Sequence, residues 1–222
     1  YIFTNIDYAL KFIRNNHLVH ALVALYVISA ICSDHPDAQR WREFARSNLL
    51  VSFKEQWTDQ GEYVQPSHSY HRSALHGLLW LRVIAARVCD NELVLAVDEV
   101  LANSTTFFLA VMDWPSGQVP NWGANDGTLI SNWSSSSSRD YRPLCQSLTA
   151  ITRQELLFEN GPWDEEMIWF LGVTSLSLPR RKSPPVKTWV SYKNAGLHIL
   201  RLNTDVMVAL RAGSPISRYG MQ

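Results

Sequence analysis

The period of the apolar residues changes once along this chain, and that change constrains the fold more than any other feature. From Tyr1 to roughly Leu171 apolar side chains recur at steps of three and four, the spacing that gathers them on one face of a helix. "NHLVHALVALYVISAIC" is apolar on nearly all sides, as a helix packed between neighbours must be. "DAQRWREFARSNLLVSFKEQW" carries a stripe of Trp41, Phe44, Ala45 and Leu49. "SALHGLLWLRVIAARVCD" aligns Leu75, Leu78, Leu79, Val83 and Ala86, and "NELVLAVDEVLANSTTFFLAVMDW" aligns Leu93, Val94, Val97, Val100 and Leu101. Short joins between such segments predict antiparallel helical hairpins.

After "SLSLPRRKSPPVK" the period becomes two. "TWVSYK", "AGLHILRLN" and "DVMVALRAG" read as strands, with Leu197, Ile199 and Leu202 set against His198 and Arg201, and with turn signals at Lys193-Asn194 and Asn203-Thr204. The expectation is a helical part over 1–175, a linker over 176–187 and the start of a sheet domain over 188–222. Three strands are too few for a sheet with two covered faces, and the chain begins inside a helical pattern and stops at "SRYGMQ". A fragment of a longer protein is expected.

Between the helices, 115–140 breaks the rhythm with Pro115, Gly117, Pro120, Gly123, Gly127 and the run Ser134 to Ser138. A loop of this length inside a compact domain is commonly functional or disordered. "GQVPNWGANDG" has the glycines and amides of a built loop, whereas the serine run has the composition of a mobile tip. Asp140 is positioned to cap the next helix, "YRPLCQSLTAITRQELL".

Charge and cysteine content narrow the function classes. Twenty basic residues balance twenty acidic ones, so no global field draws nucleic acid or an anionic membrane, and any anion must be met locally. The apolar stretch Leu18 to Cys32 is too short for a membrane span, and no signal peptide is visible in the chain. Nine tryptophans and eight tyrosines suit aromatic-lined grooves, sugar clefts among them, and equally suit plain packing. Cys32, Cys89 and Cys145 are far apart without metal-type spacing and read as buried thiols.

Three short stretches carry the candidate chemistry. Asn15, Asn16 and His17 stand at a helix start, where one asparagine suffices as a cap. "VQPSHSYHR" offers Ser67 as a cap and places Tyr70 and His71 in the first turn; cationic histidines oppose the helix dipole there, while the same dipole favours a deprotonated Tyr70. A packing role for both rings is the plain alternative, and a metal pair at His68 and His71 lacks a third ligand. In "PNWGANDG", Asn121, Asn125 and Asp126 supply hydrogen-bonding groups, Trp122 a flat plate, and the glycines close backbone approach, although the same residues make an ordinary turn.

"NNHLVHALVALY", "DQGEYVQPSHSYHR", "GQVPNWGANDG" and "DYRPLCQSLTAI", in this order, resemble the heparinase II/III-like polysaccharide lyases over nearly the whole chain, with Asn16 just over fifty residues before Tyr70. That resemblance implies an (α/α) toroid of paired helices, incomplete here, followed by the first strands of an antiparallel β-sandwich. It implies β-elimination on a uronic-acid polysaccharide such as a glycosaminoglycan or alginate. Asn16 with His17 would neutralise the uronate carboxylate, Tyr70 would act as base, acid or both, and His71, Arg72, Asn121, Trp122, Asn125 and Asp126 would contact substrate. No cofactor is required; a structural divalent metal found in some members, and a further catalytic histidine, would lie beyond Gln222. The implied partner is an anionic polysaccharide and the implied location periplasmic or extracellular; His198 reads as structural. Two rival classes stay open: a glycoside hydrolase pairing Asp126 with Asp59 or Glu62, and a carbohydrate-binding protein without turnover.

Overall fold

A computed structural model of the chain describes residues 1–121, 123–181, 188–202 and 206–213. It is mainly helical, with a small antiparallel sheet after the helices. Beyond the short α1 (Ile2–Asn5) and a wide turn over Ala9–Ile13, the helices are α2 (Asn16–Ile31), α3 (Ala38–Gln56), α4 (His68–Arg87), α5 (Asn91–Val111), α6 (Arg142–Arg153) and α7 (Trp163–Leu171). Strands β1 (Trp189–Tyr192), β2 (Leu197–Arg201) and β3 (Met207–Arg211) pair antiparallel in sequence order.

The expected stripes make the core. Ala45, Leu49, Leu75, Leu78, Leu79, Leu93, Val97 and Leu101 are buried in one continuous cluster, although Ala86, expected on the α4 stripe, is exposed. α6 is shorter than its apolar pattern, because Gln154 takes a left-handed conformation and ends it. Helix α5 is long and apolar enough to cross a membrane by composition alone; it lies between α4 and α6 with half of that window buried.

The packing of α2 on α4 sets up the site. His20 bonds Ser73 Oγ at 2.9 Å and also faces Gly77, while Tyr26, further along α2, donates to Asp90 just past the end of α4. The two helices therefore run parallel, with their amino ends side by side. At the far end Asp90 is a saturated hub, accepting from Tyr26, from Arg46 and from the Leu93 amide of α5.

Two buried charged groups fasten the sheet to the helices. Glu62, before α4, accepts from Asn194 Nδ2 (2.9 Å) and the Ala195 amide (2.7 Å) in the β1–β2 turn. Arg201 donates to the Ala110 and Met112 carbonyls at the carboxyl end of α5, where the helix dipole favours a cation. This corrects the expected strand pattern: Arg201 lies inward in register with Leu197 and Ile199, and Leu202 is 64% exposed. The apolar alternation continues through a position that the α5 carbonyls reserve for a cation. Two of the three thiols also differ from expectation, since Cys32 and Cys89 sit at helix ends and are exposed, and only Cys145 is buried. The Asn203-Thr204 turn and half of the expected linker, 182–187, fall outside the described residues.

Candidate functional site

All three candidate stretches meet at the amino ends of α2 and α4. On α2, Asn15 is the cap, its Oδ1 accepting from the His17 amide at 3.1 Å. Capping is thus complete without Asn16. The Asn16 side chain is buried, its Oδ1 has no hydrogen-bond partner, and its backbone amide donates to Gln65 Oε1 at 3.2 Å. That bond ties α2 to the stretch leading into α4. His17 is exposed at the tip.

On α4, Ser67 caps the Tyr70 amide as expected, and its hydroxyl donates to the Ala124 carbonyl of the long loop. Gly123, at a φ of +68°, lies so close to the Pro66 carbonyl that any side chain there would overlap it. The loop is closed at its base by a bond from the Tyr141 amide to the Gly117 carbonyl; Asp140, expected as the cap of α6, accepts from the Arg142 amide but stands one residue before the N-cap, Tyr141, which makes no side-chain cap bond. The serine run is fastened as well, with Ser135 bonded to Glu165 and Ser134 to the Pro162 carbonyl. Its composition suggested mobility; the amino end of α7 gives it partners instead.

The first turn of α4 divides its rings between two environments. His71 points into the core, where Nε2 accepts from Trp57 Nε1 at 3.1 Å, lies 3.3 Å from Ser104 Oγ, and the ring stacks on Tyr63. Burial first, then the neighbouring His68, lowers its pKa far below that of an ordinary imidazole. His68 packs on Phe107 and Phe108, and burial followed by the Arg211 charge brings it down to about 3. Both rings are neutral at ordinary pH, so the helix dipole meets no imidazolium. His71, expected to contact substrate, is thereby committed to holding the loop before α4 in place.

Tyr70 faces the other way. It is half-buried, and its hydroxyl donates to Asp126 Oδ2 at 3.2 Å. Asp126 is itself held by the Thr128 amide and hydroxyl, which keep its carboxyl below the usual range. Burial and then the Asp126 charge and hydrogen bond raise the phenol. This runs against the expectation that the helix dipole would favour phenolate: burial first, and then the facing carboxylate, favour the protonated ring.

Arg72 also turns inward, toward α6. It is 4% exposed, donates to the Ser138 carbonyl at 2.6 Å and lies over the Tyr141 ring at 4.6 Å. Next to the α4 head opens a cleft of about 440 Å³ walled by His68, Ser69, Arg72, Asn121, Asn125 and Arg139, among other residues. Asn121 and Asn125 are bonded to each other at 2.6 Å. Trp122 lies outside the described residues. Sequence reasoning passed over Arg139 and Gln118, which also line this cleft; the signal at Arg139 was a lone cation closing an uncharged run.

The carboxylate pair of a hydrolase is not assembled here. Glu62 is fully buried and bonded to Thr58, Asn194 and Ala195, while Asp59 borders a separate hollow between α3 and α5. Among the described residues, no three histidine, cysteine or acidic side chains cluster as metal ligands. No family model, no curated protein and no solved structure matches the chain.

Proposed function

We propose that this chain carries the amide and phenol of a polysaccharide lyase centre of the heparinase II/III-like kind, acting by β-elimination on a uronic-acid polymer. The observation that carries this reading is the convergence of Asn16, Tyr70 and Asp126, from three distant stretches, at the paired amino ends of α2 and α4. The helical toroid and β-sandwich, finer than the order of helices and sheet described above, belong to the same proposal.

The chemistry makes two demands that these residues suit. Removing the C5 proton of a uronate places a second negative charge beside the carboxylate, so hydrogen bonds to that group must stabilise the enolate-like state. Asn16, with an amide not used for capping, and the exposed His17 take that role. The electron pair of the broken C5–H bond then forms the C4–C5 double bond, the C4–O bond breaks, and the departing oxygen takes a proton.

Tyr70, protonated at rest through Asp126, is suited to supply that final proton. To act first as base it must give up its own proton, with Asp126, which accepts from its hydroxyl, as the neighbouring acceptor; the phenolate then takes the C5 proton and hands it to the departing oxygen. An incoming uronate is itself an anion and would raise the phenol's pKa further, so neutralisation of its carboxylate by Asn16 and His17 must come first. Asn121 and Asn125 position the polymer from the loop side.

The test is to incubate the protein with heparan sulfate, hyaluronan, chondroitin and alginate and follow the ultraviolet absorption of the unsaturated uronate. Wild type should generate the chromophore on at least one polymer and Tyr70→Phe should not. Binding of a polymer without any chromophore from wild type would instead favour a carbohydrate-binding protein.

A further inference from the structure

The cleft beside the α4 head is built for negative charge. Two guanidinium groups, Arg72 and Arg139, and the amides of Gln118, Asn121 and Asn125 line it, and among the described residues no carboxylate does. Arg72 is the more telling of the two. It is buried, its Nε has no hydrogen-bond partner, and among the described residues it forms no ion pair. Its neighbours are a carbonyl oxygen and an aromatic face.

A buried cation without a counter-charge is costly, and proteins ordinarily supply a carboxylate. Asp140 and Glu166 border a small void beside Arg72, yet Asp140 is paired in a fork with Arg142, and Glu166 accepts from Ser147 and makes no ion pair with Arg72. Neither completes Arg72. Arg139, on the rim, likewise has no ion-pair partner among the described residues.

The loop joins this cleft to Tyr70. Asn125 and Gly127 line the cleft, while Asp126 between them bonds the Tyr70 hydroxyl. On α4, Ser73 and Gly77 face α2, whereas His68, Ser69 and Arg72 wall the cleft. Tyr70 does not line the cleft itself; the loop, which passes over the head of α4, brings the two within one residue of each other.

We propose that the cleft is an anion subsite that seats the sulfate or carboxylate of the sugar next to the one presented to Tyr70. This rests on the reading of the chain as acting on an anionic polysaccharide. It gives the site a preference for polymers charged on every sugar over polymers charged on alternate sugars. Guanidinium groups accept both anions as bidentate partners, so sulfate and carboxylate share the chemistry.

The test compares oligosaccharides of chondroitin, in which the uronate's neighbour is uncharged, with those of chondroitin sulfate and of polymannuronate, in which the neighbour carries sulfate or carboxylate. Binding is measured calorimetrically in Tyr70→Phe protein, which keeps the ligands intact, with and without Arg139→Gln, an exposed substitution that leaves the core alone. Arg139→Gln should weaken one or both of the doubly charged ligands about five-fold, the worth of one partly screened charge-assisted hydrogen bond, and leave chondroitin unchanged. Which ligand responds identifies the natural anion. Equal loss on all three, or loss on none, overturns the subsite. Retained selectivity without any unsaturated product from wild type would leave the subsite standing and remove the lyase reading.

Discussion

One turn of helix, His68 to His71, builds two unlike regions. Behind it, His68 and His71 lie among Trp57, Tyr63, Phe107 and Phe108, neutral and closely packed. In front, Tyr70 meets a charged carboxylate on the loop, and the buried Asn16 keeps a polar atom without a partner. The difference teaches that a crowd of titratable rings at a helix mouth is not one site. The inward rings hold the scaffold, and the outward ring, on groups whose hydrogen bonding is incomplete, is where a ligand has something to add.

If that division is right, substitutions on the two sides separate activity from stability. The largest effect is expected at Tyr70→Phe, which should slow product formation by about 10²–10⁴-fold, the usual worth of a positioned acid–base group, without moving the unfolding midpoint. Asn16→Ala should follow, at about 10²–10³-fold in kcat, as for removal of a donor to a developing oxyanion. A turnover loss under about threefold would break the proposed role of its amide.

The rear region should answer in stability. His71→Leu leaves Trp57 Nε1–H and Ser104 Oγ without their partner, which costs about 2 kcal/mol in denaturant unfolding. Acid should sharpen the contrast. His68 at about 3, His20 at about 4 and His71 far below its ordinary value are all lowered in the fold, whereas an unfolded imidazole titrates near 6.5. The unfolded chain therefore takes up more protons below that point, so stability is full above about pH 6.5 and falls as pH drops toward 4, on the order of 1 kcal/mol per pH unit for each ring. A thermal midpoint unchanged between pH 7 and 5 would contradict this. Asn15→Ala is the smallest, a lost cap worth about 1 kcal/mol with kcat preserved.

Much of the fold was legible because apolar period reports directly on helix and strand. The exceptions are places where a tertiary partner overrode the pattern. Arg201 went inside because the last carbonyls of α5 needed a donor, and the serine run was held because Glu165 stood opposite it. At the site, the cap at Ser67 and the surplus asparagine at α2 could be read from residue order. Which way each ring of "HSYHR" points could not, since that depends on the parallel packing of α2 on α4 and on the loop that brings Asp126 to Tyr70. The sign of the phenol shift failed for the same reason: a dipole is local in sequence, whereas burial and the opposing carboxylate come from tertiary packing.

The most direct test sets Tyr70→Phe beside His71→Leu and measures, for each, the rate of unsaturated-uronate formation per folded molecule and the unfolding midpoint. The expected result is a crossed pattern: Tyr70→Phe keeps the wild-type midpoint and loses the chromophore, and His71→Leu loses midpoint while its folded fraction still turns over. A Tyr70→Phe protein that forms product at the wild-type rate would contradict the account.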